Sequence, residues 1–255
     1  MQLVDEQLER ATILPRYFSA LLTRFGPQGW WPGRTRLEVV LGAILTQNTA
    51  WHNAARALRK LRKASRLSWS GLREASLNEL EFCIRPAGFY RQKARTVFDF
   101  VRWLERAHNG SLDALFALPA DNARRQLLEL KGVGPETADA ILLYAGRQPF
   151  FVADAYTRRI LSRHGLLPPT ANYARAQQFL HGSLPADQAL FNEFHALLVQ
   201  AGKHYCKRQA PLCQGCPLEE FLPARAEDFG GAARAELAAS STPARDPDRS
   251  SFTHG

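Results

Sequence analysis

Three groups of residues have types and spacing that could do chemistry. The first is Leu130-Lys131-Gly132-Val133-Gly134-Pro135-Glu136-Thr137-Ala138, a glycine-rich turn between two stretches of helical periodicity. Glycine lets a backbone come close to an anion and take positive φ angles that a Cβ resists. A helix opening near Pro135 and Glu136 would aim its dipole and unpaired N–H groups at the same anion, and Pro135 suits a first helical position. An ordinary glycine turn between packed helices would leave the same trace. The second group is Asp154, twenty residues beyond Gly134 and just after the apolar run Phe151-Val152-Ala153. Its carboxylate would lie near whatever strand the turn holds, and it would also suit the N-cap of a helix beginning at Ala155. The third is Cys206, Cys213 and Cys216, three thiols within eleven residues, a spacing that fits a metal site better than a disulfide framework.

The elements that must position these groups read as helices. Apolar residues recur at spacings of three and four, as in Leu37, Leu41, Ile44 and Leu45, and again in Leu127, Leu128, Ala138, Ile141 and Leu142. Strand-like alternation is sparse, so the expected fold class is all-α. Gly26-Pro27, Pro32-Gly33, Pro86-Ala87-Gly88, Asn109-Gly110 and Pro168-Pro169 cut the chain into short segments. With 33 Lys and Arg against 24 Asp and Glu, the net charge is +9. The stretch from Pro223 to Gly255 holds four Arg and five acidic residues, so the basic surplus belongs to the body and points to a polyanionic partner. That tail, rich in Ala, Arg, Ser, Pro and Asp without periodicity, is expected to be disordered. The chain opens without a charged-then-apolar leader and has no apolar run of membrane-spanning length, which predicts no membrane and a cytoplasmic location.

The hairpin of Leu130–Ala138 followed by Asp154 resembles the helix-hairpin-helix DNA glycosylases, the superfamily of endonuclease III, and the likeness runs from about Trp30 to Leu222. The resemblance implies a two-domain glycosylase fold. A six-helix barrel with the hairpin would span residues 29–148. Residues 1–28 and 149–222 would form a second domain with an iron–sulfur loop, and 223–255 would be the tail. The partner implied is double-stranded DNA with a damaged base, handled by a monomer.

Site residues follow position by position. Asp154 matches the family's catalytic aspartate, which stabilises the positive charge that develops on the sugar or activates water. Gln47, Leu130, Gly132, Val133, Gly134 and Thr137 match DNA-binding positions. A long amide at Gln47 could fill the gap left by a flipped nucleotide, although a polar helix end would look the same. Glu136 stands where bifunctional members carry a lysine, and a carboxylate cannot form a Schiff base. The resemblance therefore implies base release without strand cleavage. Trp30, Trp31 and Trp51, with Lys203 and the run Arg85–Ala94, look like the 3-methyladenine glycosylase branch, whose flat rings would stack on a cationic alkylated base; tryptophans also serve as core anchors.

Cys206-x6-Cys213-x2-Cys216 matches three ligands of the family's [4Fe–4S] loop, but Leu222 occupies the fourth position. Glu219, Glu220, Asp228 or solvent could stand in, or the loop could hold zinc or nothing. Cys83 is expected to be a buried apolar thiol. The rival reading is a non-catalytic DNA-binding protein, to which the missing lysine and cysteine contribute and against which Asp154 and Gln47 argue.

Overall fold

The computed structural model of the chain describes residues 2–31 and 33–223. The expectation of disorder past Pro223, and the candidate ligand Asp228, lie outside those residues. All elements among the described residues are helical, in the order α1 (Gln2–Phe25), α2 (Arg36–Leu45), α3 (Trp51–Lys63), α4 (Trp69–Glu74), α5 (Leu77–Ile84), α6 (Tyr90–His108), α7 (Leu112–Phe116), α8 (Ala120–Leu128), α9 (Pro135–Ala140), α10 (Ala155–Arg163), α11 (Tyr173–Ser183) and α12 (Gln188–His204). No helix among them is long and apolar enough to cross a membrane.

Local chemistry sets the helix starts. Thr35 accepts the Glu38 N–H at the head of α2, and Ser76 and Glu79 form a reciprocal capping box on α5. α2 is the most buried element: Glu38 through Leu45 are all inside, because its apolar residues cover more than one face. It packs against α3, α6 and the five-residue π-helical segment Ile141–Ala145 that continues α9. The same π segment touches α12, which in turn packs on α1 and α10. Buried side chains from Leu14 to Leu218 thus run together in one continuous core, in which Cys83 is buried as expected.

One polar knot interrupts this core. The Asp139 carboxylate in α9 is fully buried and accepts from Arg124 in α8 at 2.6 and 3.1 Å, Tyr173 Oη at 2.8 Å and Gln177 Nε2 at 2.7 Å, both of the latter in α11. A buried carboxylate left without such partners would cost several kcal/mol, about 3–5 when one member of a pair is removed. Gln177 Nε2 also donates to the Phe151 carbonyl at 2.8 Å, and the Phe151 N–H donates to His181 Nε2 at 2.9 Å. Residues 149–154 form no regular element, so α11 supplies the partners that their buried backbone needs. This is how the apolar run delivers Asp154 to a fixed place.

Candidate active site

Asp154 is the N-cap of α10: its Oδ1 accepts the Thr157 N–H at 2.8 Å. The cap expected from sequence is therefore present, and its second oxygen faces His195 Nε2 at 3.5 Å. His195 lies in α12 and is 5% exposed. Its Nδ1 pairs with the Tyr144 hydroxyl in a short hydrogen bond. Burial pushes the Asp154 carboxyl up, but the facing His195 ring and the Thr157 N–H outweigh it and hold Asp154 below the usual carboxylate range. Tyr144 goes the other way: burial, then the nearby Asp154 charge, raise its phenol well above the ordinary value, so it keeps its proton.

Asp154 opens onto a cavity of about 440 Å³. The sequence-predicted residues Trp30, Trp31, Gln47, Trp51, Glu136, Thr137 and Lys203 line it as well. Trp31 sits between Tyr144 and Trp51, with ring centres 4.9 Å and 5.1 Å away, the second pair edge to face. Gly42 in α2 makes that possible, since a Cβ there would stand 3.1 Å from Trp31 and 3.3 Å from Trp51. Lys203 holds its ammonium 5.6 Å from the Trp30 ring centre. Glu136 is exposed at the edge of the cavity, yet the water it loses to the cavity wall, then the Asp154 charge, raise its carboxyl above the usual range. The two carboxyl groups are thus pushed apart in acidity.

The hairpin corrects one expectation. Gly132 does have positive φ, +88°, and a Cβ there would meet the Thr96 hydroxyl at 2.2 Å. Gly134 has φ −91° and ψ 177°, an ordinary extended conformation, and a Cβ there would meet nothing within 4 Å. Gly134 is the N-cap of α9 with Pro135 at N1, as the sequence predicted. Leu130 and Val133 close the turn, with the Val133 N–H bonded to the Leu130 carbonyl at 3.0 Å, and Val133 and Thr137 are buried.

Gln47 is not free: its Nε2 donates to the Gly132 carbonyl at 3.1 Å. Sequence reasoning carried the residue that completes this arrangement only as part of the run Arg85–Ala94 and gave it no role of its own. Lys93, 6% exposed at the start of α6, donates to the Leu45 carbonyl at 3.0 Å and the Ala87 carbonyl at 2.7 Å, and burial lowers its amine to about 8. It joins the turn bearing Gln47 to the turn bearing Phe89. Phe89 is 66% exposed with φ +44°, an uncommon state for a bulky residue. A large apolar residue next to a Gly-Phe-Tyr turn was the one signal in the sequence.

The three cysteines line one small cavity with Arg163, His164, Glu219 and Leu222. Arg163 donates to Cys206 Sγ at 3.3 Å, and burial pushes the Cys216 thiol up against the pull of the Leu218 N–H aimed at its sulfur. Donors on sulfur suit thiolates that carry a cluster. Among the described residues no group of three or more His, Cys, Asp or Glu side chains is placed to hold a metal ion.

A family model described as HhH-GPD superfamily base excision DNA repair protein matches residues 41–185. A provisionally named DNA repair glycosylase of Methanocaldococcus jannaschii is 39% identical over 208 residues, covering 81% of this chain and 94% of that protein. Among solved structures, an H. pylori 3-methyladenine DNA glycosylase bound to 1,N6-ethenoadenine is 27% identical with a TM-score of 0.66, over 76% of this chain and 97% of its own. A non-covalent endonuclease III–DNA complex shares the fold at 23% identity and a TM-score of 0.70, over 84% and 95% of the two chains.

The two hairpin glycines should separate in experiment. Gly132→Ala should lower unfolding free energy by about 1–3 kcal/mol, since it combines positive φ with a clash. Gly134→Ala should stay within about 0.5 kcal/mol of wild type while weakening duplex affinity, if the open space over it is where a phosphate comes. Urea unfolding beside equilibrium binding reads both; equal destabilisation by the two variants would contradict the assignment.

Proposed function

The chain belongs to the HhH-GPD superfamily of base excision DNA repair proteins, and from that premise we propose that it is a DNA N-glycosylase releasing damaged bases, cationic alkylated purines foremost, from duplex DNA. The observation that carries this reading is the single cavity in which the ionised Asp154 meets an indole wall and a second carboxyl, Glu136. The cavity lining comes from both the 29–148 segment, read here as the barrel, and the domain of residues 149–222, so the cleft between them would receive the extruded nucleotide.

The N–H groups at the head of α9 would hold a phosphate of the damaged strand. Gln47 and the exposed Phe89, on turns tied together through Lys93, would enter the space that the flipped nucleotide leaves. Trp30, Trp31 and Trp51 would stack on the base, and an ionised Glu136 would favour a positively charged one. Asp154 would then face the charge growing on the sugar as the glycosidic bond breaks, and would orient the water that completes the reaction. The likeness to a glycosylase bound to a modified adenine supports this substrate class. No amine stands at the head of α9, where Glu136 is. Lys203, the one lysine among the described lining residues, holds its ammonium over Trp30 instead. This supports release of the base without strand cleavage.

The same reading gives Cys206, Cys213 and Cys216 to a [4Fe–4S] cluster, with Arg163 and the Leu218 N–H as donors to its sulfur ligands. Such a cluster, when bound, would brace the loop that carries Lys207 and Arg208.

Asp154→Asn should slow single-turnover base release by about 10²-fold or more while leaving duplex affinity nearly unchanged. Wild-type rates in that variant would remove Asp154 from the chemistry. Borohydride should trap no covalent enzyme–DNA adduct, and the product strand should break only after alkali; an efficient adduct would sink the claim that cleavage is absent. Protein purified without oxygen should be brown, with about four iron and four sulfide per chain. It should lose iron to chelators more readily than a four-thiolate site, because Leu222 cannot ligate. Stoichiometric zinc in a colourless protein would refute the cluster.

A further inference from the structure

Asp154 does not take its orientation from its own helix alone. The Thr157 N–H fixes Oδ1, whereas Oδ2 is faced by a ring that belongs to α12, forty-one residues further along the chain. That ring is itself held. The Tyr144 hydroxyl pairs with His195 Nδ1, and Tyr144 retains its proton, so it can donate to Nδ1. A tautomer with its only proton on Nδ1 would turn the Nε2 lone pair toward a carboxylate and be repelled. In either remaining state Nε2 carries a proton and stands 3.5 Å from Oδ2, outside hydrogen-bond geometry but near enough to act on the carboxylate as an electropositive neighbour. Tyr144 sits on the π segment, and its ring lies 4.9 Å from Trp31, in the wall of the cavity. A continuous line of contacts therefore runs from the aromatic wall through Tyr144 and His195 to the carboxylate.

We propose that His195 is the positioning residue of this site: anchored by Tyr144, it holds the Asp154 carboxylate ionised and in one orientation, and it ties that orientation to the wall that receives the base. This rests on the glycosylase reading of the cavity for its purpose, but not for its measurement. His195 does not touch the reacting atoms in this assignment; it acts through Asp154. The other titratable or charged groups around the carboxylate are His52 on α3, Glu136 on α9, Tyr156 and Arg158 on α10 and Lys203 on α12, together with Tyr144, and His195 is the one in ion-pair contact with Oδ2. Removing the imidazole should therefore favour the protonated acid, with Thr157 alone left to hold the charge. Stability linkage has the matching sign. A carboxyl held low in the folded state stabilises at neutral pH and loses that contribution as pH falls through its folded-state titration, so less would be lost in a His195 variant.

The test is a 13C NMR titration of Asp154 in protein labelled at the aspartate Cγ, with the resonance assigned by its loss in Asp154→Asn. His195→Leu should move the Asp154 midpoint up by about one pH unit or more. His195→Asn, whose amide can still donate, should recover part of the shift. Tyr144→Phe keeps the ring that packs on Trp31 and loses only the hydroxyl; it should shift the midpoint in the same direction by less. In activity, the acidic limb of the single-turnover profile should move up with the NMR midpoint while duplex affinity holds. An unmoved Asp154 midpoint in His195→Leu overturns the proposal, and if that variant does not fold, an unmoved midpoint in Tyr144→Phe does so. A wild-type protein that releases no base from any damaged duplex would overturn the glycosylase reading while leaving the NMR result standing on its own.

Discussion

A carboxylate that must stay charged although most of its surrounding water is removed is the constraint from which most of this structure follows. Burial by itself favours the neutral acid, so the Asp154 charge survives only if donors replace the lost water. One donor is the unpaired N–H at the start of α10, which exists because the helix begins at Ala155 and leaves its first amides free. The second support is the imidazole of His195, in ion-pair contact with the other oxygen, and it needs an anchor of its own in Tyr144. Asp154 must also arrive at the right point. The buried segment before it is held by His181 and Gln177, and Gln177 is in turn engaged by Asp139. Burial keeps His181 below its ordinary range, which leaves Nε2 unprotonated and able to accept the Phe151 N–H. One buried ion, Asp139, thus serves the placement of another.

The opposite side of the cavity solves a different problem. Turns are irregular and would ordinarily be the loosest part of an all-helical protein, yet three of them converge here. Lys93 joins two through backbone carbonyls, and the hairpin is tied in by Gln47 to Gly132 and by the Thr96 hydroxyl, 3.4 Å from the Lys131 carbonyl. An amine taken out of water for this purpose costs free energy, and its lowered titration point is the trace of that cost. The gain is pre-organisation: groups that would otherwise be ordered only on binding are already in place.

The parts of this plan that the sequence disclosed were those with local signatures. Helical periodicity, the glycine-proline start of α9 and an aspartate just before Ala155 are each written within a few residues, and each stands in the structure where it was expected. The indoles could be grouped because Trp30, Trp31 and Trp51 are near one another in the chain. His195, Tyr144 and Lys93 were not legible for the opposite reason. Lys93 reads as one more solvent-facing cation of an amphipathic helix, while Tyr144 and His195 stand among apolar neighbours and read as core, and each takes its meaning from a partner elsewhere in the chain. A π segment adds a residue to the turn that carries Tyr144, and no local pattern announces it. The pair of hairpin glycines shows the same limit in reverse. Identical residue types two apart in the chain have different reasons to be glycine, and only backbone geometry separates them.

Glu136 brings these strands together. An amine at the head of α9 would attack carbon and would repel a cationic base, whereas a carboxyl does neither. Its pKa is pushed up by its place in the cavity wall and by Asp154, while that of Asp154 is pushed down, so the two carboxyls are set for different tasks. In the proposed reaction the positive charge does not stay where it began. A purine alkylated on a ring nitrogen enters charged, and when the glycosidic bond breaks the electron pair leaves with the base, which becomes neutral as the sugar becomes positive. The attraction between the base and Glu136 therefore weakens along the reaction coordinate, and that between the sugar and Asp154 grows. A site whose fixed charges follow the moving charge in this way binds the transition state better than the bound substrate. That gradient requires Asp154 to be fully ionised before the bond begins to break, which is the condition that His195 and Thr157 meet.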